Sequence, residues 1–249
     1  MIRELIEVGN STVSRETFSN TTDLSNYIDT AKTNKLFQGR DLSSHRQKEE
    51  DFNDFYTFED ANKALEYGTD IYFEKFNKEF QKVKNYIAQR EKQQKTGYKK
   101  DFIGFMPIVP NAILGIPDNM INLDMKPKPF PTARIIIEKA CNAFIKADDM
   151  CSYYAVIFVL IQLLEKRGIR CELWESAVFE EDDEIYISKV KLKDYQQPLN
   201  CYKIQFPVIA ADMFRRIMFR LLETTPEIKN MWTWGYGHTL IKPDEKIFH

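Results

Sequence analysis

The chain has 249 residues and a formal net charge of −2, from 35 basic and 37 acidic side chains. A nearly neutral protein lacks the strong overall field that would attract nucleic acid or an anionic membrane surface. The composition is that of a globular protein, and the length fits one large domain or a core domain with an extension.

Cysteine and hydropathy patterns exclude two further classes of protein. The four cysteines form no C-x-x-C pair and none lies near a histidine in sequence, so they predict buried free thiols in a reducing compartment. The longest apolar run, residues 153–161, is shorter than the roughly 20 residues of a membrane span. The N-terminus has no apolar signal core. We therefore expect a cytoplasmic protein with no membrane partner.

The N-terminal segment, residues 1–50, is rich in Ser, Thr, Asn and Asp. Such a segment buries little apolar surface by itself, so it predicts a polar arm with short helical pieces. A helical region is predicted over residues 51–100. Its first helix begins where Thr57 and Asp60 have the spacing of a capping box, and it ends at Gly68.

The second helix of this region is predicted to begin near residue 70. Its apolar residues recur at alternating three- and four-residue steps: Phe73, Phe76, Phe80, Val83 and Ile87. This seam predicts either a helix that lies on its own domain or one that binds a partner. The helix also carries a basic run over Lys75–Lys100, which is either its solvated face or a surface that follows a phosphate backbone. Contacts for that alternative are Lys82, Lys84 and Arg90.

Six prolines punctuate residues 101–131, which predicts an irregular strap that joins the helical region to an α/β core domain over residues 132–249. In that domain, residues 134–137 predict a strand covered on both faces, residues 152–166 a buried helix, and residues 169–174 a second, parallel strand. The run IYISKVKL predicts an antiparallel edge strand. A last helix is predicted from Pro207, with Arg215, Arg216 and Arg220 away from its apolar face.

Several common kinds of active site have no motif in this sequence. There is no G-x-G-x-x-G, no Walker phosphate loop and no G-x-S-x-G nucleophile elbow. Open α/β sheets bind ligands beyond the carboxyl ends of their strands, which directs attention to the loop over residues 138–150.

The start of the core domain resembles a von Willebrand A domain, in which a strand leads into a D-x-S-x-S loop and then a buried helix. Here the stretch reads Glu138-Lys139-Ala140-Cys141-Asn142, with alanine and asparagine in place of the two serines that help to hold Mg²⁺. The resemblance implies a three-layer, Rossmann-like sheet with helices on both faces. Because Mg²⁺ needs convergent oxygen ligands, Glu138 and Asn142 alone predict a degenerate site without a metal, although Asp148 and Asp149 follow closely.

The wider pattern resembles an uncharacterised family encoded by tailed bacteriophages. The stretches that carry the resemblance are FYTFEDANKALEYG, LGIPDNM, RGIRCELW, FPVIAADMFRRIMFRLLE and WGYGHT. They cover roughly residues 52–240 and leave the N-terminal segment unmatched. The resemblance implies a phage setting, either in the host cytoplasm or in the virion, and no known reaction.

The C-terminal segment contains Trp232, Trp234, Tyr236 and His238 close together. Exposed rings of this kind could stack on a base or fill a groove of a partner. Alternatively, the rings pack on the sheet edge and the intervening glycines form a turn.

Three functions follow from these patterns. The first is a non-enzymatic interaction or assembly protein that uses a degenerate von Willebrand A-like domain to bind phage or host proteins, or a second copy of itself. The second is a nucleic-acid-binding accessory protein that uses the basic helix and the C-terminal aromatic residues. The third is a metal-dependent hydrolase that uses Glu138, Asp148 or Asp149. No cofactor is predicted. Candidate partner-binding residues are Glu138, Asn142, Asp148, Asp149, Trp232, Trp234, Tyr236 and His238.

Overall fold

The computed structural model describes residues 1–8, 11–47, 51–90, 98–101, 106–123, 131–181 and 183–228. In chain order the strands are β1 (Ile2–Val8), β2 (Ser11–Phe18), β3 (Tyr98–Asp101), β4 (Met106–Pro107), β5 (Met120–Leu123), β6 (Thr132–Glu138), β7 (Arg170–Glu181) and β8 (Glu184–Lys193). The helices are α1 (Thr21–Thr30), α2 (Phe58–Tyr67), α3 (Phe73–Arg90), α4 (Val109–Ile113), α5 (Ala147–Lys166), α6 (Cys201–Ile209) and α7 (Phe219–Thr224). A π-helix over Met213–Met218 leads directly into α7.

The chain forms two compact units, residues 1–83 with 131–249, and residues 84–130. The first unit is built on a mixed five-stranded sheet in the order β1-β2-β8-β7-β6. Strands β6 and β7 are parallel, as are β2 and β8, whereas β1/β2 and β7/β8 are antiparallel. The predicted strand, helix and parallel strand of the core domain are therefore confirmed as β6, α5 and β7. The predicted antiparallel pairing of β8 is also confirmed, but β8 is central because β2 pairs with its other side.

Residues 1–50 differ from the predicted polar arm, because β1 and β2 belong to the central sheet and α1 belongs to the core. The composition of this segment does not predict its place in the sheet, because two positions of β2 that face the core are polar. Glu16 is fully buried, and its carboxylate accepts hydrogen bonds from Arg3 Nε at 2.7 Å and from the Tyr186 hydroxyl at 2.7 Å. A buried carboxylate satisfied in this way is tolerated where an unpaired one would be costly.

The hydrophobic core lies on one face of the five-stranded sheet. Alternate strand residues such as Phe18, Leu173 and Phe179 belong to it, and the helices of the first unit in the described ranges all contribute to the same cluster. The opposite face carries a smaller buried cluster of Val13, Val178, Ile185 and Ile187. The α/β class is thus observed, whereas a second layer of helices on this opposite face stays a prediction.

The predicted α2 is confirmed in detail. The Thr57 hydroxyl accepts from the Asp60 backbone N–H at 3.1 Å, and the helix ends at Gly68, whose φ of 97° favours glycine. Three residues of the predicted seam of α3, Phe76, Phe80 and Val83, lie on the protein's own core. Phe73 is exposed, and the side chain of Ile87 lies outside the described residues. Phe76 is buried and its ring meets that of Phe158 edge-on, with centroids 5.0 Å apart.

The sequence predictions for β6 and α5 need correction. The first strand of the core domain was expected to be covered on both faces, yet β6 is the last strand of the sheet and Ile136 is 47% exposed. Helix α5 was expected to be buried almost all round, yet Tyr153, Val156 and Leu160 are exposed on one side. By length and composition α5 could cross a membrane, but its other side packs into the core as in soluble proteins.

The second unit contains a three-stranded sheet in the order β3-β5-β4, together with the short helix α4. Strand β5 is antiparallel to both neighbours. The Ile108 N–H donates to the Asn119 carbonyl at 2.7 Å across the segment that contains α4. Part of the predicted strap over residues 101–131 therefore has regular structure of its own.

Candidate interaction surface

The loop after β6 uses its predicted site residues to hold its own backbone. The Glu138 carboxylate accepts from the N–H groups of Ala140 at 3.0 Å and Val178 at 3.3 Å. Dense packing around this carboxyl desolvates it and raises its pKa to about 7, although the residue as a whole is exposed. The Asn142 side-chain oxygen accepts from the Phe144 N–H at 3.0 Å, which closes a local turn.

Asp148 and Asp149 lie in the first turn of α5 and are exposed. Acidic groups at this position stabilise a helix through its dipole. The ammonium of Lys75 pairs with the Asp148 carboxylate and also donates to its backbone carbonyl at 3.0 Å. Within the described ranges, no group of three His, Cys, Asp or Glu side chains is arranged to hold a metal ion.

Two charged residues lie beneath this loop and were missed by sequence reasoning. Lys139 is fully buried, its ammonium donates to the carbonyls of Val208 at 2.7 Å and Ala210 at 3.2 Å, and it lies 3.8 Å from the centre of the Tyr154 ring. Burial lowers the pKa of Lys139 to about 8. Glu175 on β7 is also fully buried, and burial raises its pKa well above the usual range. Because both side chains are sealed from solvent, they fit a structural role rather than a catalytic one.

A second buried network corrects the predicted exposure of two arginines. Arg215 and Arg216 were placed away from the apolar face of their helix, yet both are buried. The Arg216 guanidinium donates to Asp212 at 2.8 Å and to the carbonyls of Arg46 and Phe55, each at 2.9 Å. The π-helix differs in pitch from the α-helix that the sequence pattern assumes, so the predicted outward face does not apply here.

Asp212 completes this network. Its carboxylate accepts from the Asn53 side chain at 2.8 Å and from the backbone N–H groups of Asp54 and Phe55, each at 2.6 Å. Arg215 donates to the Phe52 carbonyl at 2.7 Å. The Asp212 and Arg216 pair therefore fastens the segment before α2 to the core. In the sequence, this pair is indicated only by the four-residue spacing between Asp212 and Arg216.

The remaining predicted residues are only partly described. Lys82 is exposed and donates to Glu79 at 2.6 Å, whereas the side chains of Lys84 and Arg90 lie outside the described residues. Trp232, Trp234, Tyr236 and His238 also lie outside them. Nucleic-acid binding through these groups stays a prediction. The four cysteines are free, as predicted, with Cys151 and Cys171 buried and the other two partly buried.

One set of exposed apolar side chains lies on three consecutive segments that begin with the edge strand β6. These side chains lie on β6, on the following loop and on the exposed side of α5. They are Ile136 (47% exposed), Phe144 (94%), Tyr153 (65%), Val156 (43%) and Leu160 (52%). We call this set the β6–α5 surface. Apolar residues gathered at a sheet edge are typical of a protein-binding site.

A family model described as "Domain of unknown function (DUF7192)" matches residues 5–248, which is nearly the whole chain. The chain belongs to the DUF7192 family. Comparisons of this DUF7192 chain with curated proteins and with solved structures find no match.

Sequence reasoning missed the β6–α5 surface of this DUF7192 protein for a physical reason. The apolar run over residues 152–166 predicts a helix that is buried almost all round, because composition does not distinguish a side that packs on the core from a side that binds a partner. The available signal was positional. Tyr153, Val156 and Leu160 are spaced so that they lie on one side of a helix, whereas Tyr154, Phe158 and Ile161 are buried on another.

Proposed function

We propose that this protein is a non-enzymatic interaction protein that binds other protein chains through the β6–α5 surface. The observation that carries the proposal is the exposure of five large apolar side chains on β6, the loop after it and α5, with β6 the last strand of the sheet in the described part of the chain. Leaving such residues in water is unfavourable, and covering them with a partner would remove apolar area from solvent.

The environment of the charged groups near the loop also supports a non-enzymatic function. Enzymes place titratable groups of perturbed pKa where a substrate can reach them. Here the Glu138 carboxylate, whose pKa is raised, accepts from backbone N–H groups of its own chain. Lys139 and Glu175 are buried in the core, and Asp148 pairs with Lys75 on the surface. These arrangements are suited to holding the fold that presents the surface.

The setting is part of the proposal. The β6–α5–β7 crossover supports a von Willebrand A-like core that serves as a scaffold, and the five stretches quoted above support a phage-encoded protein. Its partners would then be phage or host proteins in the host cytoplasm or in the virion.

The proposal is tested with a surface variant and a matched control. The surface variant carries Tyr153→Lys and Leu160→Lys, and the control carries Tyr67→Lys and Ile71→Lys, which also replace exposed apolar residues (64% and 54%). Each form is purified and its assemblies, alone and with candidate partners from phage-infected cells, are measured by native mass spectrometry. We expect assembly in the wild type and the control and its loss in the surface variant. Assembly that persists unchanged in the surface variant, or no assembly in any form, would contradict the proposal.

A further inference from the structure

We propose that the partner at the β6–α5 surface is a second copy of this chain, paired antiparallel along β6 about a two-fold axis at Ile136. This inference rests on the proposed function and specifies its partner. The two copies would share one continuous ten-stranded sheet, twice the five strands of the single chain.

The first step is the direction of the backbone groups of β6. The Lys139 N–H donates to the Ser176 carbonyl at 2.9 Å, and the Pro131 carbonyl accepts from the Arg170 N–H at 2.8 Å, so residues 131 and 139 face β7. Because a strand alternates with period two, the even-numbered residues between them direct their N–H and C=O groups away from β7. In the described part of the chain no other strand pairs with β6. The Glu138 carbonyl already accepts from the Tyr154 hydroxyl, whereas the outward groups of Arg134 and Ile136 can pair with a strand of another molecule.

The second step is that β6 is complementary to itself in one antiparallel register. If Ile136 lies opposite Ile136 of the other copy, Arg134 lies opposite Glu138, and the two-fold axis makes this pair twice. Within one chain Arg134 already pairs with Glu172, and the Glu138 carboxylate accepts from the Ala140 N–H, so the contact across the axis would add to these bonds. The backbone groups of Arg134, Ile136 and Glu138 are directed away from β7, and their side chains share one face of the sheet. The same register therefore pairs the backbones and brings the side chains opposite one another. Ile135 and Ile137 would meet on the core side. A surface that matches itself in this way closes as a dimer.

The third step concerns α5. The Tyr154 hydroxyl donates to the Glu138 carbonyl at 2.8 Å. This bond places Tyr154 of α5 beside Glu138 of β6. Two strand residues, from Glu138 back to Ile136, span about 6.6 Å, and the antiparallel helix covers that distance in about four residues. The axis therefore passes close to residue 158, between Val156 and Leu160. The exposed sides of the two α5 helices would meet across the same axis as the strands.

The opposite edge of the sheet, β1, is less suited to this pairing. It also exposes apolar residues, among them Leu5 at 63%. However, three of its seven residues are charged, Arg3, Glu4 and Glu7, against two of the seven in β6, and charges on an edge strand discourage pairing with another chain. By contrast, the centre of β6 is three consecutive isoleucines.

The test is sedimentation velocity over a range of micromolar concentrations. We expect the wild type to dimerise, Ile136→Lys to weaken the dimer by at least about a hundredfold in Kd, and Leu5→Lys at the opposite edge to leave it unchanged. Ile136 is partly exposed and its side chain is not needed in the core, so this variant keeps its fold, which is checked by circular dichroism. A wild type that stays monomeric, or a dimer that Leu5→Lys breaks and Ile136→Lys does not, overturns the inference.

A mixing experiment tests the register itself. Arg134→Glu and Glu138→Arg each place like charges opposite one another in a homodimer, so each variant alone should be monomeric. Because Arg134 also pairs with Glu172 and Glu138 also holds the loop after β6, circular dichroism first checks that each variant keeps the fold of the wild type. Mixed together they restore both opposite-charge pairs, and we expect a one-to-one heterodimer. Absence of that heterodimer from a protein whose wild type dimerises through β6 overturns the proposed register.

The two proposals fail in distinguishable ways. A monomeric wild type that binds another protein through Tyr153 and Leu160 refutes the second copy and leaves the proposed function intact. A wild type that neither dimerises nor binds any partner refutes both.

Discussion

Replacing Glu175 by glutamine should change how the stability of the protein depends on pH. Glu175 is fully buried, and in the described residues its two carboxylate oxygens have no hydrogen-bond partner. Burial raises its pKa well above the usual range, an effect that nearby Lys139 opposes. The folded protein therefore keeps a proton on Glu175 at pH values where the unfolded chain has lost it.

The sign and size of the effect follow from proton linkage. Above a pH of about 4.5 the unfolded chain binds fewer protons than the folded one, so the free energy of unfolding falls as pH rises through the raised pKa of Glu175. The slope is at most about 1.4 kcal/mol per pH unit, and it applies between the ordinary pKa and the raised one. Glu175→Gln lacks this titration. The stability of the variant relative to the wild type should therefore rise with pH above about 4.5 and level off once the raised pKa of Glu175 is passed.

The assay is urea unfolding followed by circular dichroism at several pH values, with the free energy taken by linear extrapolation. Glu74→Gln, the same substitution at an exposed position of α3, is measured alongside as the control. If the Glu175→Gln curve runs parallel to that of the wild type, Glu175 is not a desolvated buried carboxyl. The structural role assigned to the buried charges would then be wrong.

Two further predictions concern the contacts that organise the core. Arg216→Met leaves the buried Asp212 carboxylate without its ion pair. We therefore expect the free energy of unfolding, measured by urea titration, to fall by about 3–5 kcal/mol. A loss within experimental error would show that the pair does not fasten the segment before α2. Gly68→Ala would place a Cβ 2.5 Å from Tyr202 Cδ1 and 2.7 Å from its carbonyl oxygen, in a backbone conformation that favours glycine, and should cost about 1–3 kcal/mol. Gly39→Ala, where a Cβ meets open space, is the matched control with a smaller expected loss, and equal losses at the two glycines would refute the steric explanation.

The parts of the fold that the sequence predicted are those set by local signals. The Thr57 cap and the Gly68 stop of α2 depend on residues a few positions apart, and the β6–α5–β7 unit depends on apolar runs separated by short joins. Such signals need no knowledge of distant contacts. The same patterns led to the loop after β6, whose residues proved to hold its own backbone.

The parts that were missed depend on contacts between distant residues. Glu16 looks like a surface residue until Arg3 and Tyr186 are placed against it, and that pairing is what allows β2 to enter the sheet. Arg216 is buried because its guanidinium meets carbonyls of the segment before α2, about 160 residues or more away in sequence. The exposed side of α5 was missed because an apolar residue looks the same in sequence whether a core or a partner covers it.

The central claim, that the β6 edge is an interaction site for a second copy, is tested most directly by amide hydrogen exchange resolved to single residues. The N–H groups of Arg134 and Ile136 are directed away from β7, whereas those of Ile135 and Ile137 face it. We predict that exchange at Arg134 and Ile136 slows as the protein concentration is raised through the dimerisation range, while exchange at Ile135 and Ile137 changes far less. Exchange at Arg134 and Ile136 that is independent of concentration would contradict the claim.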